Sequence, residues 1–192
     1  MQERVLLFPL IEEEVSIRET QTESLEFTTI FETYYKRIYN YISYRVSCRY
    51  TTEDLTSQVF EKVLNKLGTY SSDKSPLEVW MFAIARNVVN DYFRAQKRTK
   101  MFSLEGIKEL ISKKKDPESL YILGESNDKL FRALDTLNER ERNIVGLKFG
   151  ANLSNIQISR IVDLTESNVG VILYRTMKKL KLRIEDESEG VK

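Results

Sequence analysis

Apolar side chains recur every third or fourth residue along most of this chain, and no stretch alternates strictly between apolar and polar residues. This spacing is typical of amphipathic α-helices that bury one face, whereas strict alternation would indicate strands. The N-terminal half therefore predicts three helices, at residues 27–47, 52–67 and 77–98. Gly68 ends the second helix, and a polar loop over residues 69–76 leads into the third.

The second and third helices each carry a distinctive polar face opposite their apolar stripe. The residues of the second helix that we predict to face inward are Leu55, Val59, Phe60, Val63, Leu64 and Leu67. The polar face of the third helix is a ladder of cations and amides formed by Arg86, Asn90, Arg94 and Lys97. Such a ladder contacts a polyanion or is an ordinary solvated surface, and the pattern alone leaves both open.

The last quarter of the chain predicts two helices joined by a tight turn. Ser154 and Gln157 form an S-x-x-Q capping box at the start of the first helix. The turn is Asp163-Leu164-Thr165, and the Thr165 hydroxyl is placed to cap the next helix. A connection of about 3 to 4 residues between two helices is the layout of a helix-turn-helix.

The second of these helices has one apolar and one polar face. Its predicted inward residues are Val169, Ile172, Leu173, Thr176 and Leu180, and its outward residues are Ser167, Asn168, Val171, Tyr174, Arg175 and Lys178. Polar residues early in the helix suit base edges, and the later cations suit phosphates, as in a helix docked in a DNA major groove. A helical hairpin with a solvated basic face is the alternative interpretation.

These patterns predict an all-α fold with two small helical domains joined by a flexible linker. The predicted segments are an unassigned acidic leader (1–26), an N-terminal helical domain (27–98), a linker (99–125), a helix-turn-helix domain (126–185) and an acidic tail (186–192). The linker loses helical periodicity and includes a lysine run, with a short helix expected at residues 104–111. Asn138 and Glu141 predict a further capping box in the second domain.

Composition narrows the chemistry. The 192 residues include no histidine and one cysteine, Cys48, and the seven glycines form no phosphate-binding motif. The absence of histidine excludes Ser-His-Asp catalysis and the common zinc sites, so we predict no enzyme activity, no cofactor and no metal. A lone cysteine fits a packing role in a reducing cytoplasm. No membrane span or signal peptide is predicted, because the apolar segment at residues 5–11 is far short of the about 20 residues that a span needs.

Charge is unevenly distributed along the chain. The formal net charge is only +1, yet the leader is acidic and residues 86–115 and 170–184 are strongly basic. Two separate basic zones suggest two contacts with a polyanion, and the nearly neutral total suggests modest affinity for it without a partner protein.

Three blocks of sequence, in this order, resemble the extracytoplasmic-function (ECF) class of bacterial RNA polymerase sigma factors. They are TTEDLTSQVFEKVLNKL, VWMFAIARNVVNDYFRAQKR and ALDTLNERERNIVGLKFGANLSNIQISRIVDLTESNVGVILYRTMKKLK. The resemblance covers residues 27–185 and leaves out the acidic leader. It implies that the first domain corresponds to sigma region 2 and the second to sigma region 4, and that the protein is a promoter-specificity subunit.

The resemblance also implies partners and contact residues. Core RNA polymerase would be bound at its β′ clamp helices by Asp54, Gln58, Glu61 and Lys62, and region 4 would touch the β flap. Promoter DNA would be opened at the minus-10 element by Tyr70, Ser71, Ser72, Asp73, Lys74, Trp80, Arg86, Asn87, Asn90, Asp91, Arg94, Lys97 and Arg98, although Trp80 also fits a core position. The minus-35 element would be read by Ser167, Asn168, Val171, Tyr174, Arg175 and Lys178. An anti-sigma factor is a further partner that this family leaves open.

The recognition helix departs from the family pattern. Positions where the family commonly has alanine, a turn glycine, lysine, serine and arginine are here Ser159, Asp163, Gly170, Val171 and Ile172. Gly170 is expected to cost about 1 kcal/mol of helix stability relative to alanine. Two other functions compete with the sigma factor hypothesis: a stand-alone helix-turn-helix regulator of duplex operators, and a helical scaffold without DNA contact.

Overall fold

The computed structural model describes the backbone of residues 8–104 and 125–189 and the side chains of residues 27–99 and 130–185. Its helices are α1 (Phe8–Val46), α2 (Arg49–Lys66), α3 (Leu77–Leu104), α4 (Glu125–Asp135), α5 (Glu139–Val145), α6 (Asn155–Val162) and α7 (Glu166–Glu189). A 3₁₀ turn, Leu67–Thr69, follows α2, and a π-helical turn, Gly146–Gly150, follows α5. No strand occurs in these described ranges, so the predicted all-α class is confirmed.

Several predicted helix boundaries were wrong. α1 begins at Phe8, inside the segment taken as an unassigned leader. α2 begins at Arg49, and Thr52 lies within its first turn, where its hydroxyl donates to the carbonyl of Cys48 at 2.8 Å. α3 continues to Leu104, so the start of the predicted linker is helical. The remainder of the short helix expected at residues 104–111 lies outside the described residues.

The chain divides into two compact units, Met1–Lys36 and Arg37–Lys192. In the described part of the first unit, aromatic rings at helical spacing contact one another along α1. Phe31 lies 6.4 Å from Phe27 and 5.1 Å from Tyr35 between ring centroids. Pairs four residues apart share a helix face, so these contacts support α1 locally.

In the second unit, the end of α1 packs with α2 and α3 around an apolar core. Its buried members include Ile38, Ile42, Leu55, Val59, Val63, Met81, Phe82, Ala85 and Val88. Of the residues predicted to face inward on the second helix, Leu55, Val59, Phe60 and Val63 are buried and Leu67 is half-buried. Leu64 is the exception, because it was predicted to face inward and is 52% exposed. Val63 takes the core position, and one further residue rotates Leu64 to the edge of the stripe.

Helices α4 to α7 enclose a second cluster of buried side chains that includes Leu134, Ile144, Leu147, Leu153, Ile158, Val169 and Leu173. Both predicted capping boxes are confirmed. The Asn138 side chain accepts from the N–H of Glu141 at the start of α5, and the Ser154 hydroxyl accepts from the N–H of Gln157 at the start of α6. These caps satisfy backbone donors that the first turn of each helix leaves unpaired.

The second domain packs directly on the first within the Arg37–Lys192 unit, which the sequence did not predict. The backbones come close together at Gly150, where an added Cβ would lie 2.9 Å from the Cα and N atoms of Tyr41. Gly146 is also tight, because its Cβ would lie 3.2 Å from the Tyr41 ring. The buried Tyr41 hydroxyl donates to Asn143 Oδ1 at 2.8 Å. The π-helical turn therefore rests against the backbone of α1.

Candidate nucleic-acid interface

The mixed-charge face of α2 is exposed as predicted. Asp54, Glu61 and Lys62 are exposed, while Gln58 is half-buried and its amide donates to Asp54 Oδ2 at 2.8 Å. The opposite side of α2 contributes Leu55 and other apolar residues to the core. One face of this helix is therefore available for a partner, and it presents both signs of charge, which suits a specific and reversible contact.

The loop before α3 is fixed by an aromatic pair. The rings of Tyr70 and Trp80 lie 5.1 Å apart between centroids, and the Tyr70 hydroxyl donates to the carbonyl of Ser75 at 3.0 Å. Both rings are half-buried, so Trp80 lies at the edge of the core rather than inside it. Next to this pair, Ser72, Asp73 and Lys74 are exposed and Ser71 is half-buried.

The cationic face of α3 is divided into a free part and a covered part. Asn87, Arg94 and Arg98 are exposed, and Arg94 forms an exposed ion pair with Asp91 at 3.0 Å. Such a surface pair adds little to stability, so it leaves Arg94 able to exchange partners.

The covered part is held by the second domain. Arg86 is half-buried and donates to the carbonyl of Ile161 at 3.0 Å. Lys97 stays exposed, and its ion pair with Glu139 at 2.6 Å is a surface pair like that of Arg94. Asn90 accepts a longer hydrogen bond, 3.4 Å, from Arg45. The sequence placed these residues on one continuous track, and helical spacing is right about their shared face. It gave no sign that α5 and α6 would pack against part of that face.

The helix-turn-helix has the predicted geometry. Asp163 ends α6 in the left-handed conformation, with φ 55° and ψ 56°, and the N–H of Leu164 reaches back to the carbonyl of Ser159 at 3.0 Å. The left-handed region favours glycine, which explains why glycine is frequent at such a turn. The Thr165 hydroxyl accepts from the N–H of Asn168 at 3.2 Å, so the predicted cap of α7 is present.

The outward face of α7 is open. All six predicted contact residues, Ser167, Asn168, Val171, Tyr174, Arg175 and Lys178, are exposed, and Tyr174 reaches 74% exposure. Val169, Leu173, Thr176 and Leu180 are buried on the other side, whereas Ile172 is half-buried. The structure therefore brings this whole set together on one accessible helix face.

A groove of about 670 Å³ lies between α4 and α7, and the sequence did not predict it. Its apolar lining includes Leu130, Tyr174, Met177, Leu180 and Ile184, with Lys178 and Lys181 at its border. Met177 is 42% exposed although it is apolar. In the sequence, Met177 is an apolar residue between the cations Arg175 and Lys178. That interruption of a basic run was the signal that could have indicated an apolar surface here.

Charged and phenolic groups at the contact between the domains have shifted pKa values. Burial raises the pKa of the Tyr41 phenol above its usual 10.0, while Arg45 and Arg86 act in the opposite direction. Burial lowers the pKa of Arg142, and the nearby Asp135 carboxylate offsets part of this effect. Arg142 also donates to the carbonyl of Tyr44 at 2.6 Å. These groups join the two domains.

Comparison with known proteins identifies the class. The family model described as Sigma-70 region 2 matches residues 30–99, and the model described as Sigma-70, region 4 matches residues 133–182. The two modules are thus those of a sigma factor, and they coincide with the mixed-charge and cationic helices and with the helix-turn-helix. Among the described residues, none of the helices combines the length and apolarity needed to cross a membrane.

Curated relatives narrow the class further. The chain is 28% identical over 166 residues to the ECF sigma factor BldN of Streptomyces coelicolor, covering 86% of this chain and 63% of BldN. It is 26% identical over 163 residues to the ECF sigma factor SigX of Bacillus subtilis, covering 83% of this chain and 84% of SigX. The chain belongs to the ECF class of bacterial RNA polymerase sigma factors.

Solved structures agree on the fold. The sigma factor RpoE in complex with the anti-sigma factor NepR from Bartonella quintana matches with a TM-score of 0.67 and 18% identity, over 83% of this chain and 97% of that chain. CnrH in complex with the cytosolic domain of CnrY matches with a TM-score of 0.63 and 15% identity, over 87% and 94%. At these identities the likeness concerns the fold alone.

Proposed function

We propose that this chain is a promoter-specificity subunit that binds core RNA polymerase and directs it to a two-part promoter. The mixed-charge face of α2, with Asp54, Gln58, Glu61 and Lys62, contacts the β′ clamp helices. The exposed face of α7 reads the minus-35 element, and the groove between α4 and α7 receives the β flap. The role is one of binding rather than catalysis, and it places the chain in the cytoplasm with the polymerase.

The observation that carries this proposal is the presence of both surfaces in one chain. A free helix face of mixed charge belongs to one sigma region, and an exposed recognition helix belongs to the other. A stand-alone operator-binding regulator would use the N-terminal domain for dimerisation only, and this leaves the mixed-charge face of α2 and the cationic face of α3 without a specific role. That alternative is therefore not favoured.

Opening of the minus-10 element is assigned to the loop at residues 70–74, to Trp80 and to the cationic face of α3. The half-buried pair of Tyr70 and Trp80 supplies an aromatic surface beside the loop, and aromatic surfaces stack on extruded bases. Arg94 and Arg98 are free to follow the displaced strand. Arg86 joins them only when region 4 moves away, so the full cationic face of α3 requires the two regions to separate.

The separation is the step at which a partner protein acts in this proposal. Core polymerase binds the open arrangement, and an anti-sigma factor is a protein that would hold the closed one. In this proposal the two parts that move are residues 27–98 and residues 126–185. Residues 99–125 are the linker between them.

Run-off transcription tests the proposal. Purified core polymerase is incubated with a promoter library, with and without the chain. We expect specific initiation only when the chain is present, and initiation no higher than with core alone would overturn the proposal. Arg175→Ala should reduce initiation by about tenfold, since a guanidinium contact to DNA contributes about 1–3 kcal/mol. Arg160→Ala, an exposed position on α6 outside the predicted contact set, serves as the matched control.

A further inference from the structure

A polar cavity of about 430 Å³ lies where α5 and α6 face α1 and α3. Three guanidinium groups line it, those of Arg45, Arg86 and Arg140. The carboxylate among its lining residues is that of Glu139, which is already paired with Lys97 at 2.6 Å. The cavity therefore has an excess of positive charge that its own residues do not neutralise.

Arg45 is the strongest evidence that the cavity binds an anion. Its side chain is almost fully buried, at 3% exposure. Its terminal nitrogens reach only neutral oxygens, the carbonyl of Glu139 at 3.1 Å and Oδ1 of Asn90 at 3.4 Å, and its Nε has no hydrogen-bond partner. Within the described part of the chain, no carboxylate pairs with it. The Phe93 ring, whose centroid lies 5.5 Å from the guanidinium carbon, is its cation–π partner. Buried charges are normally paired with an acid, because an unpaired charge loses its hydration with little compensation.

The other two guanidinium groups also lack a carboxylate partner among the described residues. Arg86 is half-buried, and its hydrogen bond goes to the carbonyl of Ile161 rather than to an acid. Arg140 is exposed at the border of the cavity and forms no ion pair or hydrogen bond with the described residues. Arginine presents several donors in a fixed fork that matches phosphate geometry. Three such groups around one cavity are therefore suited to an anion with several oxygens.

We propose that this cavity binds a small phosphate-bearing anion, of the size of pyrophosphate or a nucleoside diphosphate, with Arg45, Arg86 and Arg140 as its ligands. A volume of about 430 Å³ lies within the range of small-molecule sites. Val162 and Leu164 form an apolar wall that would face the non-phosphate part of such a molecule. A small anion suits the cavity better than an intact DNA strand, because both domains contribute to its walls.

The site has a regulatory consequence because its walls come from both sigma regions. Arg45 and Arg86 belong to α1 and α3, whereas Arg140 belongs to α5. A ligand that binds only when these elements are together stabilises the closed arrangement by mass action. It therefore opposes the separation that frees Arg86. Binding of the anion concerns the closed protein alone and does not depend on promoter recognition.

The test is calorimetric titration of the full-length protein with sodium pyrophosphate in phosphate-free buffer of constant ionic strength. Parallel arms use inorganic phosphate, ADP and a short single-stranded oligonucleotide. We expect one saturable site, and a rise in Tm of roughly 5–10 °C when the ligand is a hundredfold above Kd. Arg140→Gln should weaken binding by about tenfold or more, since a hydrogen bond to a charged group is lost. Arg160→Gln, equally exposed but outside the cavity, should leave binding unchanged.

Any of four outcomes would overturn the proposal. Equal loss of binding in both arginine variants, or unsaturable binding at several sites, would mean general attraction of anions to a basic surface. Response to the oligonucleotide alone, with none to pyrophosphate, phosphate or ADP, would assign these arginines to the DNA track. Gly150→Ala, which weakens the contact between the domains, should also weaken pyrophosphate binding, and binding as tight as in the wild type would show that the site is not shared between them. Transcription activity enters none of these measurements.

Discussion

The packing of region 4 on region 2 can be tested at a single glycine. In Gly150→Ala, the new Cβ would lie 2.9 Å from two backbone atoms of Tyr41 and 3.0 Å from the carbonyl carbon of Asn40, whereas ordinary contacts lie at 3.4–4 Å. These neighbours are backbone atoms of the last turns of α1, so they cannot rotate away as a side chain could. The two surfaces must instead move apart.

The size of the effect follows from this distance. A retreat of roughly 0.5–1 Å removes a quarter to a half of the dispersion energy of each contact along the interface. Overpacking at close contacts costs typically about 1–3 kcal/mol. We therefore expect Gly150→Ala to weaken the closed arrangement by roughly 5- to 150-fold. Alanine favours helices, so region 4 itself should stay folded.

Small-angle scattering of the free protein measures this change directly, since separated domains have a larger radius of gyration. Hydrogen exchange at the amides of α5 provides a second readout. Gly68→Ala is the control, because no atom lies within 4 Å of its added Cβ. If Gly150→Ala matched the wild type in both measurements, the contact between Gly150 and Tyr41 would not exist in solution and the reasoning about closure would fail.

Three further predictions concern single elements. Tyr41→Phe leaves Asn143 Oδ1 without its 2.8 Å donor and should lower the free energy of unfolding in urea by about 1–3 kcal/mol. Because the phenol pKa is raised in the folded state, the stability that Tyr41 contributes is present below pH 10.0 and falls as the pH rises through the folded value. An equal loss of stability at alkaline pH in Tyr41→Phe would contradict this cause. Gly170→Ala, whose Cβ meets only Asn155 at 3.8 Å, should raise stability by about 1 kcal/mol, and a lower Tm would refute it. Replacing Asp54 and Gln58 with lysine should weaken core binding in a pull-down while circular dichroism stays unchanged; unaltered affinity would remove this face from the interface.

Local features were predictable because they depend on residues close in sequence. The capping boxes at Asn138 and Ser154 and the turn at Asp163 use partners within five positions, and all three are present. The outward face of α7 followed from helical spacing alone. The errors lay where spacing is ambiguous or a long-range partner decides. Leu64 sits at the edge of an apolar stripe, and only the packing of α2 shows that Val63 takes the core.

The sequence by itself determined the helical class, the helix-turn-helix and the order of the two sigma modules. These features depend on hydrophobic periodicity, helix caps and motifs, which involve residues close together in the sequence. Only the tertiary structure decided that Arg86 and Lys97 contact region 4, that Gly150 touches the backbone of α1, and that Arg45 is buried without a carboxylate. The physical reason is that these contacts join residues that are tens of positions or more apart in the sequence. They depend on the shape and charge complementarity of whole surfaces, and no local sequence pattern encodes that complementarity.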